Sequence, residues 1–359
     1  GYSSAASDVY KRQGIGIPIL IFLTPVFGGC KIQTDKSILK KANQAEEEGS
    51  VMKTDHKAYE HITLSSRIYD VMDHPAFDNW GHLIFPWDGN RRYSRNMTMR
   101  DAPELHLWHT NRDAQSMVDG VNRMIDDRNA GFQVFYDIYT DKEKEDDPSK
   151  ELTGLFFLRG EPGKPFAVIC PGGGFYYVGS LHEGFPLAME LNKSGYNAFV
   201  LKYRVGQGET VASRDLIAAV HYIQSHAEEL GVAKDNYSLW GGSAGARMCS
   251  NVTYGEGGIR RPQELLSPAA AMIAYTYYAG NPDFTASDPA AYFIVGTEDW
   301  IVPWRDVRER AEEMEEAGIP VECHILKHTQ HGFGVGTGTP AEGWMEQAVS
   351  FWERNMKHE

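Results

Sequence analysis

From about residue 131 onward, apolar runs of strand length alternate with stretches of helical periodicity. The runs are Phe132–Tyr139, Leu155–Arg159, Phe166–Cys170, Asn197–Tyr203, Tyr237–Trp240, Ala271–Tyr275, Tyr292–Val295 and Val321–Leu326. Helical patterns fall near 183–194, 211–230, 244–253, 304–317 and 341–355. In the second of these, Leu216, Ala219, Val220 and Ile223 stand at i, i+3, i+4 and i+7, one face of a helix. Such alternation predicts an α/β fold, a mainly parallel sheet with helices on both faces. The first two runs flank the charged stretch Asp141–Lys150 and are expected to pair as an antiparallel hairpin. The segment 55–128 has a different texture, rich in aromatics and His, with a Pro-bearing loop His74–Asp88 and helical patterning near 111–127. We expect it either to pack near the mouth of whatever site the strand ends build or to wrap the sheet as plain structure.

The chain start reads differently again. Lys11 and Arg12 precede an apolar stretch, Ile15 to Phe27, followed by Gly28, Gly29 and Cys30. A basic region, an apolar core and small residues before a cleavage point make a secretory signal. The Cys after two glycines resembles a bacterial lipoprotein box, which implies that Cys30 is lipidated and that the protein is an exported envelope lipoprotein. An ordinary signal peptide and a buried strand are the alternatives. Residues 31–50, with the run Glu46-Glu47-Glu48, read as a solvated tether. The organisation expected is therefore a signal segment at 1–29, a polar tether at 30–54, an N-terminal extension at 55–128 and an α/β domain at 129–359.

Composition narrows the function classes. Hydrophobic residues at 42% and charged residues at 23% describe a globular chain, long enough to build its core without disulfides or a structural metal. With 49 acidic against 35 basic residues the net charge is −14, which disfavours nucleic acid as a partner. Four scattered cysteines without a CxxC pair give neither a disulfide framework nor a zinc site. No HExxH or comparable spacing occurs, so no metal and no cofactor is expected. No apolar run reaches the ~18–20 residues of a spanning helix, and membrane contact is expected only through the N-terminal anchor.

The chemistry gathers at strand ends. Gly241-Gly242-Ser243-Ala244-Gly245 matches G-x-S-x-G, follows a predicted strand and opens a helical pattern. Small residues around the Ser let the chain turn sharply and project the hydroxyl. Serine is a poor nucleophile without a neighbouring base. Cys170-Pro171-Gly172-Gly173-Gly174-Phe175 follows the strand 166–170. Its glycines can aim backbone N–H groups of Gly173 and Gly174 at one spot, together with that of Ala244, as an oxyanion hole. A phosphate loop is excluded, because neither a following Gly-Lys-Ser/Thr nor a G-x-G-x-x-G spacing is present. Cys170 reads as a small buried apolar residue. The acid candidate is Asp299, with Glu298 as its rival and Asp306 as a solvated helix residue. The base candidate is His331 in His328-Thr329-Gln330-His331-Gly332-Phe333-Gly334, with His328 as its rival. Other histidines read as surface or structural.

The order Ser243, Asp299, His331 is that of the α/β-hydrolases. Residues from about 130 to 355 resemble that superfamily, and within it the esterase/lipase branch containing acetyl xylan esterase-like and bifunctional carbohydrate/feruloyl esterase-like proteins. The residues carrying the resemblance are Pro171-Gly172-Gly173-Gly174-Phe175, Glu183-Gly184, Ser194-Gly195-Tyr196, Val200-Leu201-Lys202-Tyr203-Arg204, Asp215, Gly242-Ser243-Ala244-Gly245, Asp299 with Val302-Pro303, and His331-Gly332-Phe333. The resemblance implies a serine ester hydrolase acting on acetyl or feruloyl groups of carbohydrates. Phe175, Tyr176, Tyr177 and Trp300 are candidates for stacking on sugar or phenolic rings. A prolyl-oligopeptidase-like peptidase and a non-enzymatic glycan-binding lipoprotein are the alternative readings.

Overall fold

The computed structural model describes residues 58–88, 93–278, 280 and 282–357. The expected signal segment 1–29, the Cys30 lipidation site and the tether 30–54 lie outside the described residues. Among the described residues, no helix is long and apolar enough to cross a membrane.

The strands are β1 (Phe135–Tyr136), β2 (Gly154–Leu158), β3 (Phe166–Cys170), β4 (Asn197–Lys202), β5 (Ser238–Gly242), β6 (Ala270–Ala274), β7 (Ala290–Gly296) and β8 (Val321–Leu326). They form one sheet in the order β1-β2-β4-β3-β5-β6-β7-β8. The pairs β1/β2 and β2/β4 are antiparallel, and every pair from β4 to β8 is parallel. The helices are α1 (Ile68–Met72), α2 (Ala114–Asn129), α3 (Asp141–Asp146), α4 (Phe185–Lys193), α5 (Glu209–Ser225), α6 (Ala227–Leu230), α7 (Ala244–Tyr254), α8 (Trp304–Glu316) and α9 (Trp344–Arg354). This is the mainly parallel α/β sheet that the strand and helix pattern predicted, and the α/β-hydrolase fold that the resemblance implied.

Strands β2 to β7 are wholly buried, which is why they read as unbroken apolar runs rather than alternating ones. The two faces still separate by the two-residue period of a strand. Ala167 and Ile169 of β3 enter one apolar cluster, while Phe166, Val168 and Cys170 enter the other. The first cluster also holds Ile68, Phe77, Trp80, Phe85, Met117 and Ile125, so the segment before β1 supplies much of the cover on that face. On the other face α5 buries Leu216, Ala219, Val220 and Ile223, the periodic set seen in the sequence.

One expectation needs correction and two segments gain detail. The first strand shrinks from Phe132–Tyr139 to Phe135–Tyr136. The Phe132 N–H bonds back to the Asp127 carbonyl at 2.9 Å, closing the end of α2 rather than joining the sheet. The Pro-bearing loop His74–Asp88 contains two 3-10 turns, Pro75–Phe77 and Gly81–Ile84, the first capped by the His74 side chain. The charged stretch after β1 also carries structure. A capping box between Thr140 and Glu143 opens α3 there.

Arg204 and Asp215 tie the end of β4 to α5. Asp215 is fully buried; it accepts from the Arg204 backbone N–H at 2.8 Å, from the Arg204 guanidinium at 2.7 Å and from the Tyr139 hydroxyl at 2.6 Å. Removing one partner of such a pair leaves the other buried without compensation. Asp215→Ala is expected to cost about 3–5 kcal/mol of stability, read from urea unfolding. A shift below about 1 kcal/mol would show that Asp147, which also meets Arg204 at 2.7 Å, takes over the pairing.

Candidate active site

Ser243 follows β5 directly and caps α7, with φ 52° and ψ −117°. A side chain would hold this backbone open at its neighbours. A Cβ at Gly241 would sit 2.4 Å from the Ala246 nitrogen, and one at Gly245 would sit 1.8 Å from the Cys170 carbonyl oxygen. The glycines therefore let β5, the turn and the start of α7 close on β3. The turn is fixed from the other side by the Ser243 N–H, which donates to the Ala274 carbonyl at 3.0 Å.

His331 lies on the loop after β8 and Asp299 on the loop after β7. His331 Nε2 is 3.0 Å from Ser243 Oγ, and His331 Nδ1 is 2.7 Å from Asp299 Oδ2. Both the His331 and Asp299 side chains are 1% exposed, so this contact is shielded from bulk water. The other carboxylate oxygen, Oδ1, accepts from the Ile301 and Val302 N–H groups, each at 2.8 Å. An acceptor at Nδ1 fixes the imidazole proton there and leaves the Nε2 lone pair facing the serine hydroxyl. The rivals are elsewhere. Glu298 and His328 pair with each other at 2.8 Å on the surface, the histidine 82% exposed, and Asp306 is exposed on α8.

The loop after β3 turns under a run of left-handed residues, Gly173 at φ 140°, Gly174 at 61° and Phe175 at 62°. Among the described residues, the N–H groups of Gly173, Gly174 and Ala244 meet no hydrogen-bond acceptor. Gly174 and Ala244 border the same cavity as Ser243, whereas Gly173 is not among its lining residues. The Gly172 N–H is already engaged, donating to Glu183 Oε2 at 2.7 Å. The cavity has a volume of about 250 Å³ and mostly apolar walls, with Trp108, Phe175, Tyr176, Tyr275, Tyr277, Ile301 and Val302 around the serine. A larger hollow of about 760 Å³ beside β1 is lined by polar groups such as Asp78, Arg128, Asp137 and Glu151, and it contains none of the three relay residues. Of the three relay residues, Ser243 lines the smaller one.

Of the aromatic residues singled out in the sequence, Phe175 and Tyr176 line the cavity. Trp300 does not line it; its ring lies 6.2 Å from that of His331 and is exposed. Tyr177 is a correction. It is fully buried, stacks on Trp108 at 5.4 Å and bonds to His109 Nδ1 at 2.8 Å, so it presents no face to a ligand. Cys170 is buried against Cys249, and burial pushes its thiol well above the ordinary value.

The sequence did not mark what lies behind the glycine loop. His106, His109, His182, Glu183 and Tyr275 form a buried polar cluster there. The Tyr275 hydroxyl donates to Glu183 Oε1 at 2.6 Å, and its ring stands edge-on to His331 at 5.0 Å. His109 Nε2 lies 3.1 Å from Glu183 Oε2, close enough for an ion pair but off the hydrogen-bonding direction. Burial alone would raise the Glu183 carboxyl; His109, His182 and the donated hydrogen bonds outweigh it and hold the group well below the usual carboxylate range. Burial, with His109 beside it, pushes His182 down to about 4, so this ring is neutral and donates Nε2–H to the Gly332 carbonyl at 3.1 Å. Burial and then the Glu183 charge push the Tyr275 phenol well up, keeping it a donor. Among the described residues, no group of three or more His, Cys, Asp or Glu is arranged to hold a metal ion. Glu183 was legible only as part of a motif with Gly184. His106 and His109 stand three apart on one segment, but His182 joins them from the helical turn Ser180–Gly184, more than seventy positions on, so no local spacing marks the cluster.

Comparison with known proteins agrees with this geometry. The family model described as BD-FAE matches residues 159–258. An acetylxylan esterase of Xylanibacter ruminicola is 23% identical over 227 residues, covering 56% of this chain and 47% of that protein. The chain spans less than half the length of the curated relatives it matches, 47% and 34%. An acetyl ester-xyloside bifunctional hydrolase from Caldicellulosiruptor lactoaceticus superposes with a TM-score of 0.53 at 20% identity, over 61% of this chain and 95% of that one. Esterase 2 of Thermogutta terrifontis superposes with a TM-score of 0.50 at 21% identity, over 58% of this chain and 92% of that one; the same enzyme has been solved phosphonylated by cyclosarin. The chain has the α/β-hydrolase fold and resembles the esterase branch that holds the acetylxylan and bifunctional carbohydrate esterases.

Proposed function

We propose that this chain is a serine carboxylic-ester hydrolase that removes short acyl groups, acetyl or feruloyl, from carbohydrates. The observation that carries the reading is the buried relay of Ser243, His331 and Asp299, at 3.0 and 2.7 Å, opening into one small aromatic-walled cavity. Ser243 Oγ attacks the ester carbonyl carbon and its proton passes to His331 Nε2. The carbonyl oxygen becomes an oxyanion within reach of free backbone N–H groups at Gly174 and Ala244, with Gly173 beside them. The ester C–O bond breaks, the alcohol leaves with the proton from His331, and the acyl group stays on Ser243. Water, deprotonated by His331, then attacks the acyl-enzyme and releases the acid.

The carbohydrate part of the reading leans on the relatives and on the cavity walls. Tyr176 and Tyr277, 67% and 49% exposed at the rim, suit a sugar or phenolic ring better than a long alkyl chain. The envelope location carried by the Cys30 motif suits glycan processing and is part of the same proposal.

A turnover panel tests it: p-nitrophenyl acetate and longer acyl esters, acetylated xylan, methyl ferulate, and a proline-containing anilide. Activity confined to short acyl and sugar-linked esters is the expected result. Cleavage of the anilide with silence on all esters would make the chain a peptidase. Silence on everything, with binding to xylan, would make it a glycan-binding protein.

A further inference from the structure

The segment before α2 touches both the loop that carries His331 and the glycine loop. Trp108 packs its ring against the glycine loop, where a Cβ at Gly174 would lie 3.0 Å from it. His109 reaches Glu183, whose carboxylate takes the Gly172 N–H at 2.7 Å and leaves no room for a side chain at Gly242, at 2.6 Å. Thr110 holds the loop that carries His331. Its N–H donates to the Gly332 carbonyl at 2.9 Å and its hydroxyl donates to the His331 carbonyl at 2.7 Å. One residue further, the Asn111 side chain donates to the Thr337 carbonyl at 2.9 Å. Gly332, at φ 68°, lies so close that a Cβ there would meet His109 Cα at 2.8 Å.

We propose that Trp108–Asn111 is a positioning strap that keeps the histidine loop and the oxyanion loop in register, Thr110 acting on the first and His109, through Glu183, on the second. The inference rests on the hydrolase reading and goes beyond it, because the strap lies outside the region matched by the family model, residues 159–258. The reason for such a part is geometric. His331 sits on a loop outside any helix or strand, so no ladder of backbone hydrogen bonds fixes it, and a serine–imidazole relay loses rate steeply with displacement of about 1 Å. Two hydrogen bonds to adjacent carbonyls, at 331 and 332, fix the backbone on which the imidazole hangs. His109, Thr110 and Asn111 make no hydrogen bond to the serine oxygen or the imidazole nitrogens, so they are positioning residues, while Trp108 also forms part of the cavity wall.

The test uses the full chain with Thr110→Val and Thr110→Ser. Valine keeps the shape and the backbone N–H but loses the hydroxyl; Thr110 is only half-buried, so the variant is expected to fold. We expect Thr110→Val to lower kcat on p-nitrophenyl acetate about 10-fold, with KM within about twofold of the parent. Active sites are counted by titration with a fluorophosphonate, and its rate of reaction with Ser243 is expected to fall in step with kcat. Thr110→Ser, which keeps the donor, restores kcat to within about twofold. Glu183→Gln, which keeps an acceptor for Gly172 but loses the charge facing His109, is expected to lower kcat by a similar factor without changing KM. An active parent whose Thr110→Val variant has the same kcat per titrated site overturns the strap alone, as does a lower melting temperature with unchanged kcat. A parent chain that neither turns over esters nor takes up phosphonate overturns the hydrolase reading and the strap with it.

Discussion

Ser243→Ala is expected to lower ester turnover by about 10⁶-fold, to the residual rate that oxyanion donors and binding alone provide, while the unfolding curve stays in place. The hydroxyl oxygen is the only heavy atom lost. It points into the cavity toward His331 Nε2, 3.0 Å away, and the backbone contact that fixes the turn, Ser243 N–H to the Ala274 carbonyl, is untouched. The local strain is also untouched, because alanine keeps the β-carbon that makes φ 52° and ψ −117° unfavourable. That strain gives the prediction a second arm. Ser243→Gly is expected to be equally inactive but more stable than Ser243→Ala by about 1–2 kcal/mol, since glycine adopts this region without penalty. Turnover by either variant within about 100-fold of the parent would remove Ser243 as nucleophile. Equal stability of the two variants would mean that the elbow stores no strain at this residue.

The strained elbow also explains which parts of the molecule could be read from the chain. G-x-S-x-G was legible because the sharp turn itself demands small residues: a Cβ at Gly241 would meet the Ala246 nitrogen five positions on. A residue choice forced within one strand–turn–helix unit leaves its mark within five positions. The parallel strands were legible for a similar reason. Burial on both faces leaves no polar position in β3, β4 or β7 except near their ends, and the runs stand out against charged connections. Even the choice among rivals followed local logic. Asp299 is followed by two residues whose N–H groups return to its carboxylate, whereas Glu298 faces outward to His328.

What the chain did not reveal is what depends on distant segments meeting. Tyr177 sits two residues beyond Phe175 in a loop that looked like a ligand-facing aromatic run. Its burial is imposed by Trp108 and His109, almost seventy positions earlier. The same holds for the histidine cluster. His106 and His109 meet His182 from more than seventy positions away, and burial makes the three readable only once the first segment lies on the sheet. β1 was overextended because apolar alternation in 132–139 ignores the end of α2, whose closing hydrogen bond takes Phe132.

Asp299→Asn offers the sharpest test of the relay, because the change in atoms is smallest and the expected loss is still large. Asp299 Oδ1 accepts from two backbone N–H groups, those of Ile301 and Val302, and Oδ2 faces His331 Nδ1 at 2.7 Å. An asparagine must keep its carbonyl oxygen toward the two donors, since the reverse orientation would point its NH₂ at two N–H groups inside a site that is 1% exposed. The NH₂ is then left facing Nδ1, which has to accept. The imidazole proton moves to Nε2, and Nε2 meets Ser243 Oγ with a hydrogen instead of a lone pair. The base is present, correctly placed and in the wrong tautomer. We expect kcat to fall about 10⁴-fold, with a melting temperature close to the parent and with phosphonate uptake slowed in proportion, since both reactions need the serine proton removed. A fall of less than about tenfold would show that Asp299 does not set the tautomer and that His331 obtains its orientation from elsewhere. The nearest contacts left for that task are the edge-on Tyr275 ring and the Thr110 strap. Neither offers Nδ1 an acceptor, which is why the carboxylate is assigned the role.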